Sequence, residues 1–158
     1  MSVLRPTLAQ TTSRTCQSMP LQPRCPTGSN RVPTILFVED EVNICEVGKI
    51  YLESKGYRIF EASNSNEALV LWQKHQSEID LVVTDLKMPC GGTGHQLVRR
   101  LRIDRPDLKV IFTSGSSADS SGNESLLDGN TNFLLKPYRL NGLAEMIHGF
   151  LSDKKAAA

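Results

Sequence analysis

The residues that could do chemistry in this sequence are three carboxylates, a hydroxyl and an ammonium, each at the end of a short apolar run or directly after one. They are Glu39, Asp40, Asp85, Ser114 and Lys136. Carboxylates brought close together repel one another unless a cation joins them, and a hard divalent ion such as Mg²⁺ suits oxygen ligands. A carboxylate can also act as a nucleophile toward phosphorus, while a metal ion, a hydroxyl and an ammonium hold the phosphoryl oxygens. These residue types predict a site that takes up a phosphoryl group on Asp85.

Each of these groups also has a simpler interpretation. Asp40 or Glu41 could cap the helix that follows, Ser114 could be a turn hydroxyl, and Lys136 could be an ordinary surface lysine. The choice depends on whether the chain brings the groups to one place.

Apolar runs place these groups together if each run is a strand of one parallel sheet. The candidate strands are residues 34–38, 57–61, the run 81–83 that leads to Asp85, 109–113 and 132–135. Unbroken β-branched runs are typical of strands buried on both faces. Pro89 cannot continue the third run, so Asp85 should lie at its carboxyl end. In open α/β sheets that edge is where ligands bind.

Helical periodicity between the runs predicts the remaining elements. The first helix should span about residues 41–55 and end at Gly56. Its predicted inward residues are Ile44, Val47, Tyr51 and Leu52, and its outward apolar residues are Val42, Cys45 and Ile50. Asn64 and Glu67 should form a capping box that opens the second helix. The alternation with right-handed crossovers predicts a five-stranded parallel sheet of order 2-1-3-4-5.

The later helices follow the same pattern. The third should bury Leu97, Val98, Leu101 and Ile103, present a solvated basic face of Arg99, Arg100, Arg102 and Arg105, and leave His95 on the surface. A marginal fourth helix is expected within residues 116–130, because the stretch 120–123 has poor helix propensity. The last should run over residues 140–151 with Leu143, Met146, Ile147 and Phe150 inward.

Four ordered motifs resemble the receiver domain of bacterial two-component response regulators. They are Val38-Glu39-Asp40-Glu41, Thr84-Asp85-Leu86-Lys87-Met88-Pro89, Thr113-Ser114-Gly115 and Lys136-Pro137-Tyr138. The stretches 88–94 and 112–115 look most like receivers attached to hybrid sensor kinases. The resemblance covers residues 33–152 and implies a flavodoxin-like (βα)5 fold.

The resemblance also implies a function in a phosphorelay. Asp85 would accept a phosphoryl group, with Mg²⁺ present, from a phosphohistidine on a histidine kinase or a histidine phosphotransfer protein. The implied metal ligands are Asp40, Asp85 and the backbone carbonyl of Lys87, with Glu39 in place of the more usual aspartate. Ser114 and Lys136 would bind the phosphoryl group.

Further expectations concern the switch and the docking surface. By resemblance, Phe133 would be an aromatic that moves when Ser114 moves toward the phosphoryl group, and the Lys136–Pro137 bond would be cis. Residues 116–130 should lie at the low-stability end of the domain and take part in this change. The partner kinase should dock on Val42, Cys45, Pro137 and Tyr138.

Two other functions are open to such a chain. One is a receiver-like binding module that works without phosphorylation, which the set Asp40, Asp85, Ser114 and Lys136 argues against. The other is a Mg²⁺-dependent phosphohydrolase, which would carry an acid two residues after its nucleophile, where this chain has Lys87. We therefore expect a signalling protein that is at most able to phosphorylate itself from small donors and to dephosphorylate itself.

Composition bounds the remaining properties. Residues 1–32 contain four prolines and no acid, so they should form a disordered tail or linker, with a mild resemblance to an organellar transit peptide. Residues 153–158 should be a frayed end. A net charge of +1 gives no sign of nucleic-acid binding, and no apolar run could cross a bilayer. Four cysteines without paired spacing predict free thiols in the cytoplasm.

Overall fold

A computed structural model describes residues 31–88, 92–115 and 129–152 of the chain. Its five parallel strands are β1 (Thr34–Val38), β2 (Arg58–Ala62), β3 (Ile79–Asp85), β4 (Lys109–Ser114) and β5 (Thr131–Leu135). They lie in the order β2-β1-β3-β4-β5, which confirms the predicted fold. The register pairs Val38 with Thr84 and Asp85 with Thr113, so neighbouring strands end nearly level.

Four helices within the described residues cover the two faces of the sheet. They are α1 (Val42–Ser54), α2 (Ser65–His75), α3 (Gly94–Asp104) and α4 (Leu140–Ser152). Alternate strand residues point to opposite faces. Leu36, Val82 and Phe112 therefore pack with α2 and α3, whereas Phe37, Val83 and Ile111 pack with α1 and α4. Most of the predicted marginal helix, residues 116–128, lies outside the described residues.

The inward face of α1 differs from the predicted one. Cys45, Gly48 and Leu52 are its buried residues, while Val47 is 55% exposed. A Cβ on Gly48 would lie 3.0 Å from Cε1 of Phe37, so the helix approaches the sheet too closely there for a larger side chain. The prediction that Val47 points inward and Cys45 outward is therefore wrong.

The outer face of α3 is only partly a solvated basic face. Ile103, predicted to be inward, is 74% exposed. The Arg102 guanidinium donates to the carbonyl oxygens of Leu108 and Asn130 and to the Thr131 hydroxyl. Arg105 donates to backbone carbonyls and lies over the Trp72 ring. These two arginines therefore fasten α3 to its neighbours, because their long side chains reach backbone carbonyls of the adjoining elements.

Local capping explains where the helices begin and end. The Glu67 N–H donates to Asn64 Oδ1 at 3.0 Å, but the Glu67 carboxylate accepts from the N–H of Ser63 rather than that of Asn64. A complete capping box opens α3, between Thr93 and Gln96. Gly56 has a φ of 88°, a conformation that favours glycine, directly after α1.

Two residues that precede the predicted domain boundary at residue 33, Arg31 and Val32, belong to the described structure. Arg31 donates to Asp80 Oδ1 at 2.6 Å and to the Glu78 carbonyl at 2.7 Å. Asp80 also accepts from the Thr34 N–H at 2.9 Å, so its carboxylate fixes the entry to β1. The tails predicted for residues 1–30 and 153–158 lie outside the described residues. Within the described ranges, no helix has the length and apolar character needed to cross a membrane.

Candidate functional site

The carboxyl ends of β1 and β3 bring three acids together. Glu39 and Asp40 directly follow β1, and Asp85 is the last residue of β3. One carboxylate oxygen from each of the three lies within 4.8 Å of the others. Glu39 is only 1% exposed, and Asp85 is also buried. Negative charge is thus concentrated at one point of the sheet edge.

The Lys136 ammonium reaches into this acidic cluster from the end of β5. Its Nζ lies 2.9 Å from both Glu39 carboxylate oxygens and 2.6 Å from Asp85 Oδ2. The Lys136 N–H donates to the Ser114 carbonyl at 2.7 Å, which holds its backbone against β4. The Lys136–Pro137 bond is cis, as predicted. One lysine therefore serves as counter-charge to two acids on different strands.

Burial and pairing set the protonation of this cluster. Burial raises the pKa of Glu39 above its usual range, although the hydrogen bond and charge of Lys136 act in the opposite direction. Burial alone would lower the pKa of Lys136, but hydrogen bonds to Asp85 and Glu39 outweigh it and raise that pKa. Lys136 is therefore a cation at neutral pH.

The donor set of the cluster fits a hard divalent ion. Three carboxylates face one ammonium, so negative charge is left over for a cation to balance. Carboxylate oxygens are the ligands that Mg²⁺ prefers. Asp40 is only partly buried, so the cluster is open to solvent on one side.

The loop after β3 is fixed around Asp85 by the backbone. The Lys87 N–H donates to Asp85 Oδ1 at 3.1 Å, and the Leu86 N–H donates to the Thr113 carbonyl at 2.9 Å. A Cβ on Gly94 would lie only 2.3 Å from the Asp85 carbonyl oxygen, so α3 begins in direct contact with the end of β3. Lys87, whose carbonyl is an expected metal ligand, is thus tied to Asp85 through its own amide.

Ser114 and Phe133 belong to the two strands beside Asp85. Ser114 is buried at the end of β4, in register with Leu135, the residue directly before Lys136. The half-buried Phe133 ring stacks on Phe112 with the centroids 5.3 Å apart. All the predicted phosphoryl-binding residues therefore lie on one edge of the sheet.

The predicted docking residues separate into accessible and inaccessible ones. Val42 is 71% exposed and Pro137 is exposed, but the Cys45 side chain is buried between α1 and the sheet. Burial, followed by the charges of Glu61 and Glu39, raises the pKa of the Cys45 thiol to about 11. Cys45 is therefore not a docking residue, because the close packing of α1 turns it inward.

An apolar groove lies beside these accessible residues, between α1 and the loop after β5. Its volume is about 580 Å³, and its lining residues are Glu41, Asn43, Ile44, Val47, Lys136, Pro137, Tyr138 and Leu140. Burial raises the pKa of Tyr138 to about 12.

Sequence reasoning missed the position of His95. This residue is half-buried instead of exposed as predicted: its ring packs on Phe112 with the centroids 4.8 Å apart, and both ring nitrogens are shielded from water. No local signal predicts this, because Phe112 is brought to His95 only by the sheet. The capping box of Thr93 and Gln96, in contrast, is readable from its spacing.

Comparison with known proteins places this geometry in a family. A family model described as "Response regulator receiver domain" matches residues 35–148. The chain is 38% identical over 121 residues to "Sensor kinase CckA" of Brucella abortus, a match that covers 77% of this chain. It is 32% identical to the crystal structure of a receiver domain from the hybrid histidine kinase CckA, with a TM-score of 0.64, covering 75% of this chain and 98% of that one.

A third similar protein is TrrA of Thermotoga maritima, solved in complex with Mg(2+)-BeF. Its structure is 30% identical, with a TM-score of 0.66, and the match covers 75% of this chain and 99% of that one. Among curated relatives, the chain spans 13% of the length of the Brucella sensor kinase, 42% of the response regulator GtcR of Aneurinibacillus migulanus and 44% of the regulatory protein VanR of Enterococcus faecium.

Proposed function

Because the chain belongs to the response regulator receiver domain family, we propose that it takes a phosphoryl group from a phosphohistidine onto Asp85 and changes a protein interaction surface in response. Receiver domains are signalling modules. We assign residues 33–152 to this receiver. The donor would be a histidine kinase or a histidine phosphotransfer protein of a two-component phosphorelay.

The observation that carries this proposal is the combination of acids and ammonium around Asp85. A nucleophilic carboxylate needs an oxygen that an incoming phosphorus atom can reach. It also needs neighbouring oxygen ligands that bind a metal cation, and a positively charged side chain that binds the phosphoryl oxygens. Asp85 has Glu39 and Asp40 within 4.8 Å and Lys136 Nζ at 2.6 Å. That set supports phosphoryl uptake better than a role as a helix cap or a surface ion pair.

The proposed step is an in-line displacement. A carboxylate oxygen of Asp85 forms a bond to the phosphorus as the P–N bond of the partner's phosphohistidine breaks, and the electron pair of that bond stays on the imidazole nitrogen. The Lys136 ammonium and the Ser114 hydroxyl bind the phosphoryl oxygens, which carry the charge in the transition state. The Lys87 N–H, bonded to Asp85 Oδ1, keeps the carboxylate oriented.

The residues that would hold Mg²⁺ are Asp40, Asp85 and the carbonyl of Lys87, with Glu39 close by. When bound, the ion offsets the repulsion between these carboxylates and an incoming phosphoryl group. Thermotoga TrrA, a similar protein, forms a complex with Mg(2+)-BeF, which supports a pairing of metal and phosphoryl site in this chain.

The partner is proposed to dock on α1 and the loop after β5, and the signal to leave through β4 and β5. Val42 and Pro137 are exposed beside the acidic cluster, next to the apolar groove.

Movement of Ser114 toward the phosphoryl group would leave space behind β4 for the Phe133 ring. Hydrogen exchange with and without beryllofluoride should change most around Phe133 and residues 116–130.

Intact-mass measurement after incubation with Mg²⁺ and acetyl phosphate tests the proposal. We expect one phosphoryl adduct on the wild-type chain and none on Asp85→Asn, which keeps the shape of the side chain but removes the anionic nucleophile. Chelation of Mg²⁺ should abolish labelling of the wild type. Equal labelling of Asp85→Asn would show that Asp85 is not the acceptor.

A further inference from the structure

The first turn of α3 is in direct backbone contact with the end of β3. The Gly94 N–H donates to the Leu86 carbonyl at 3.1 Å, and the Gly94 backbone lies against the Asp85 carbonyl so closely that no side chain would fit between them. His95 is the next residue. Its position is therefore tied to the end of β3, where Asp85 lies.

Three rings form a column from α3 across β4 to β5. The His95 and Phe112 centroids are 4.8 Å apart with the rings inclined at 44°, and the Phe112 and Phe133 centroids are 5.3 Å apart with the rings at 25°. These separations are typical of favourable aromatic pairs. Phe112 is fully buried, so it cannot move far without both neighbours responding. Phe133, at the other end, is the ring that would move on phosphorylation.

The His95 ring is held in this column as a neutral group. Both of its nitrogens are shielded from water, and neither has a hydrogen-bond partner within the described ranges. Burial lowers the pKa of His95. Among the charged residues of the neighbouring elements, Asp85 at the end of β3, Arg99 on α3 and Lys136 after β5 included, none contributes resolvably to this shift. A proton on His95 would add a charge with no acceptor to receive it, which is costly away from water.

We propose that His95 is a positioning residue for Phe133: its neutral ring holds the Phe112–Phe133 stack in the arrangement seen here, and protonation drives the ring out of the column and releases Phe133. The link to signalling rests on the proposed function. The coupling between His95 and Phe133 does not, because it exists in the unphosphorylated protein. The interaction surface around β5 then responds to acid as well as to phosphoryl transfer.

Fluorine NMR of the full chain labelled with para-fluorophenylalanine tests the coupling. The chain has five phenylalanines, and Phe133→Leu identifies the resonance of Phe133. In the unphosphorylated wild type, that resonance should shift as the pH falls, with the same midpoint as the His95 ring proton and below the ordinary histidine value of 6.5. His95→Phe, which keeps a ring but cannot be protonated, should abolish this shift.

Two comparisons make the result specific to His95. His148→Gln removes an exposed histidine on α4 and should leave the Phe133 shift unchanged. Phe60, whose ring stacks on His75 with the centroids 4.4 Å apart, is the internal control, and its resonance should behave in the same way in the wild type and in His95→Phe. The proposal is overturned if the Phe133 resonance of the wild type does not change with pH, or if it shifts with pH by the same amount in His95→Phe.

A second arm separates this proposal from the proposed function. Linkage is reciprocal, so if His95 positions Phe133, beryllofluoride bound at Asp85 must shift the His95 midpoint. An unchanged midpoint with the mimic bound would refute a positioning role in the switch. If the mimic does not bind at all while the Phe133 shift persists, the phosphoacceptor function is wrong and the coupling stands.

Discussion

At the scale of single residues, Lys136 is the counter-charge for two carboxylates that are both buried. Removing one partner of a buried ion pair leaves uncompensated charge, so Lys136→Met should lower the free energy of unfolding of the metal-free protein by about 3 kcal/mol. Urea denaturation in the presence of a chelator measures this. Added Mg²⁺ should restore part of the loss, because the acids then regain a cation.

The matched control for that prediction is Lys49→Met. Lys49 forms an exposed pair with Glu61, its Nζ 3.2 Å from Oε1, and surface pairs of this kind contribute little. If Lys49→Met and Lys136→Met destabilise equally, or if Mg²⁺ has no effect on Lys136→Met, the buried lysine is not the counter-charge of a metal site.

The ionisation of the Cys45 thiol tests whether this side chain is buried between α1 and the sheet. Because the pKa of its thiol is raised to about 11, little thiolate exists at pH values where an ordinary cysteine is already largely ionised. In a chain carrying Cys16→Ser, Cys25→Ser and Cys90→Ser, the alkylation rate followed by mass spectrometry should rise with pH to a midpoint of about 11 instead of the ordinary value of 9.0. In urea the midpoint of the same thiol should return to that ordinary value. The same midpoint in both conditions would mean that Cys45 is accessible.

The residues of the site were largely readable from the sequence, whereas their neighbours were not. Asp85 and Lys136 end apolar runs, and parallel strands carry such ends to one edge whatever the details of packing. Cys45 and His95 were misplaced because their environment depends on Phe37 and Phe112, residues that only the sheet brings close. Histidine is intermediate between the buried and the exposed residue types, so residue type did not decide for His95, whereas free cysteine is among the types most often buried, which was the one available signal for Cys45.

At the scale of elements, Arg102 joins α3 to the start of β5. Its guanidinium binds the carbonyls of Leu108 and Asn130 and the Thr131 hydroxyl at 2.9 to 3.2 Å. Arg102→Met keeps most of the aliphatic packing but removes these charge-assisted bonds, so it should cost about 2 kcal/mol of stability. Thermal or urea unfolding measures the loss, and Arg99→Met, on the exposed side of the same helix, is the control. Equal stability of the two variants would contradict the assigned role of Arg102.

Strands were easier to predict than the phase of the helices. β1 was predicted with its observed bounds, since its five consecutive apolar or β-branched residues fit only a buried strand. In α1 many apolar residues compete for one inward face, and the outcome was decided by Gly48, whose lack of a side chain lets the helix approach Phe37. In α3, Ile103 comes two positions after Leu101, which turns it about 200° around the helix. It therefore points away from the face on which Leu97, Val98 and Leu101 are buried as predicted.

At the scale of the whole molecule, the proposed docking surface is a small apolar area beside an otherwise polar site. Val42→Glu should slow phosphotransfer from the partner kinase by about tenfold, or about 1.4 kcal/mol, the loss expected for one contact at an interface. Labelling by acetyl phosphate, which needs no docking, should be unchanged. The control is Ile103→Glu on α3, because Ile103 is equally exposed at 74% but lies on another helix. Equal slowing by both variants, or slowing of both reactions by Val42→Glu, would rule out this surface.

The contact between Lys136 and Glu39 has a further consequence for folding during synthesis of the chain. The two residues are separated by 97 positions, and Lys136 follows β5, the fifth strand of the sheet in chain order. A growing chain therefore carries its acids long before the lysine that balances them emerges from the ribosome. Parallel sheets rich in such distant contacts fold slowly, since each strand must wait for a crossover to close. If Asp85 takes up a phosphoryl group as proposed, only a chain that has completed its sheet has the Lys136 ammonium in place to bind that group.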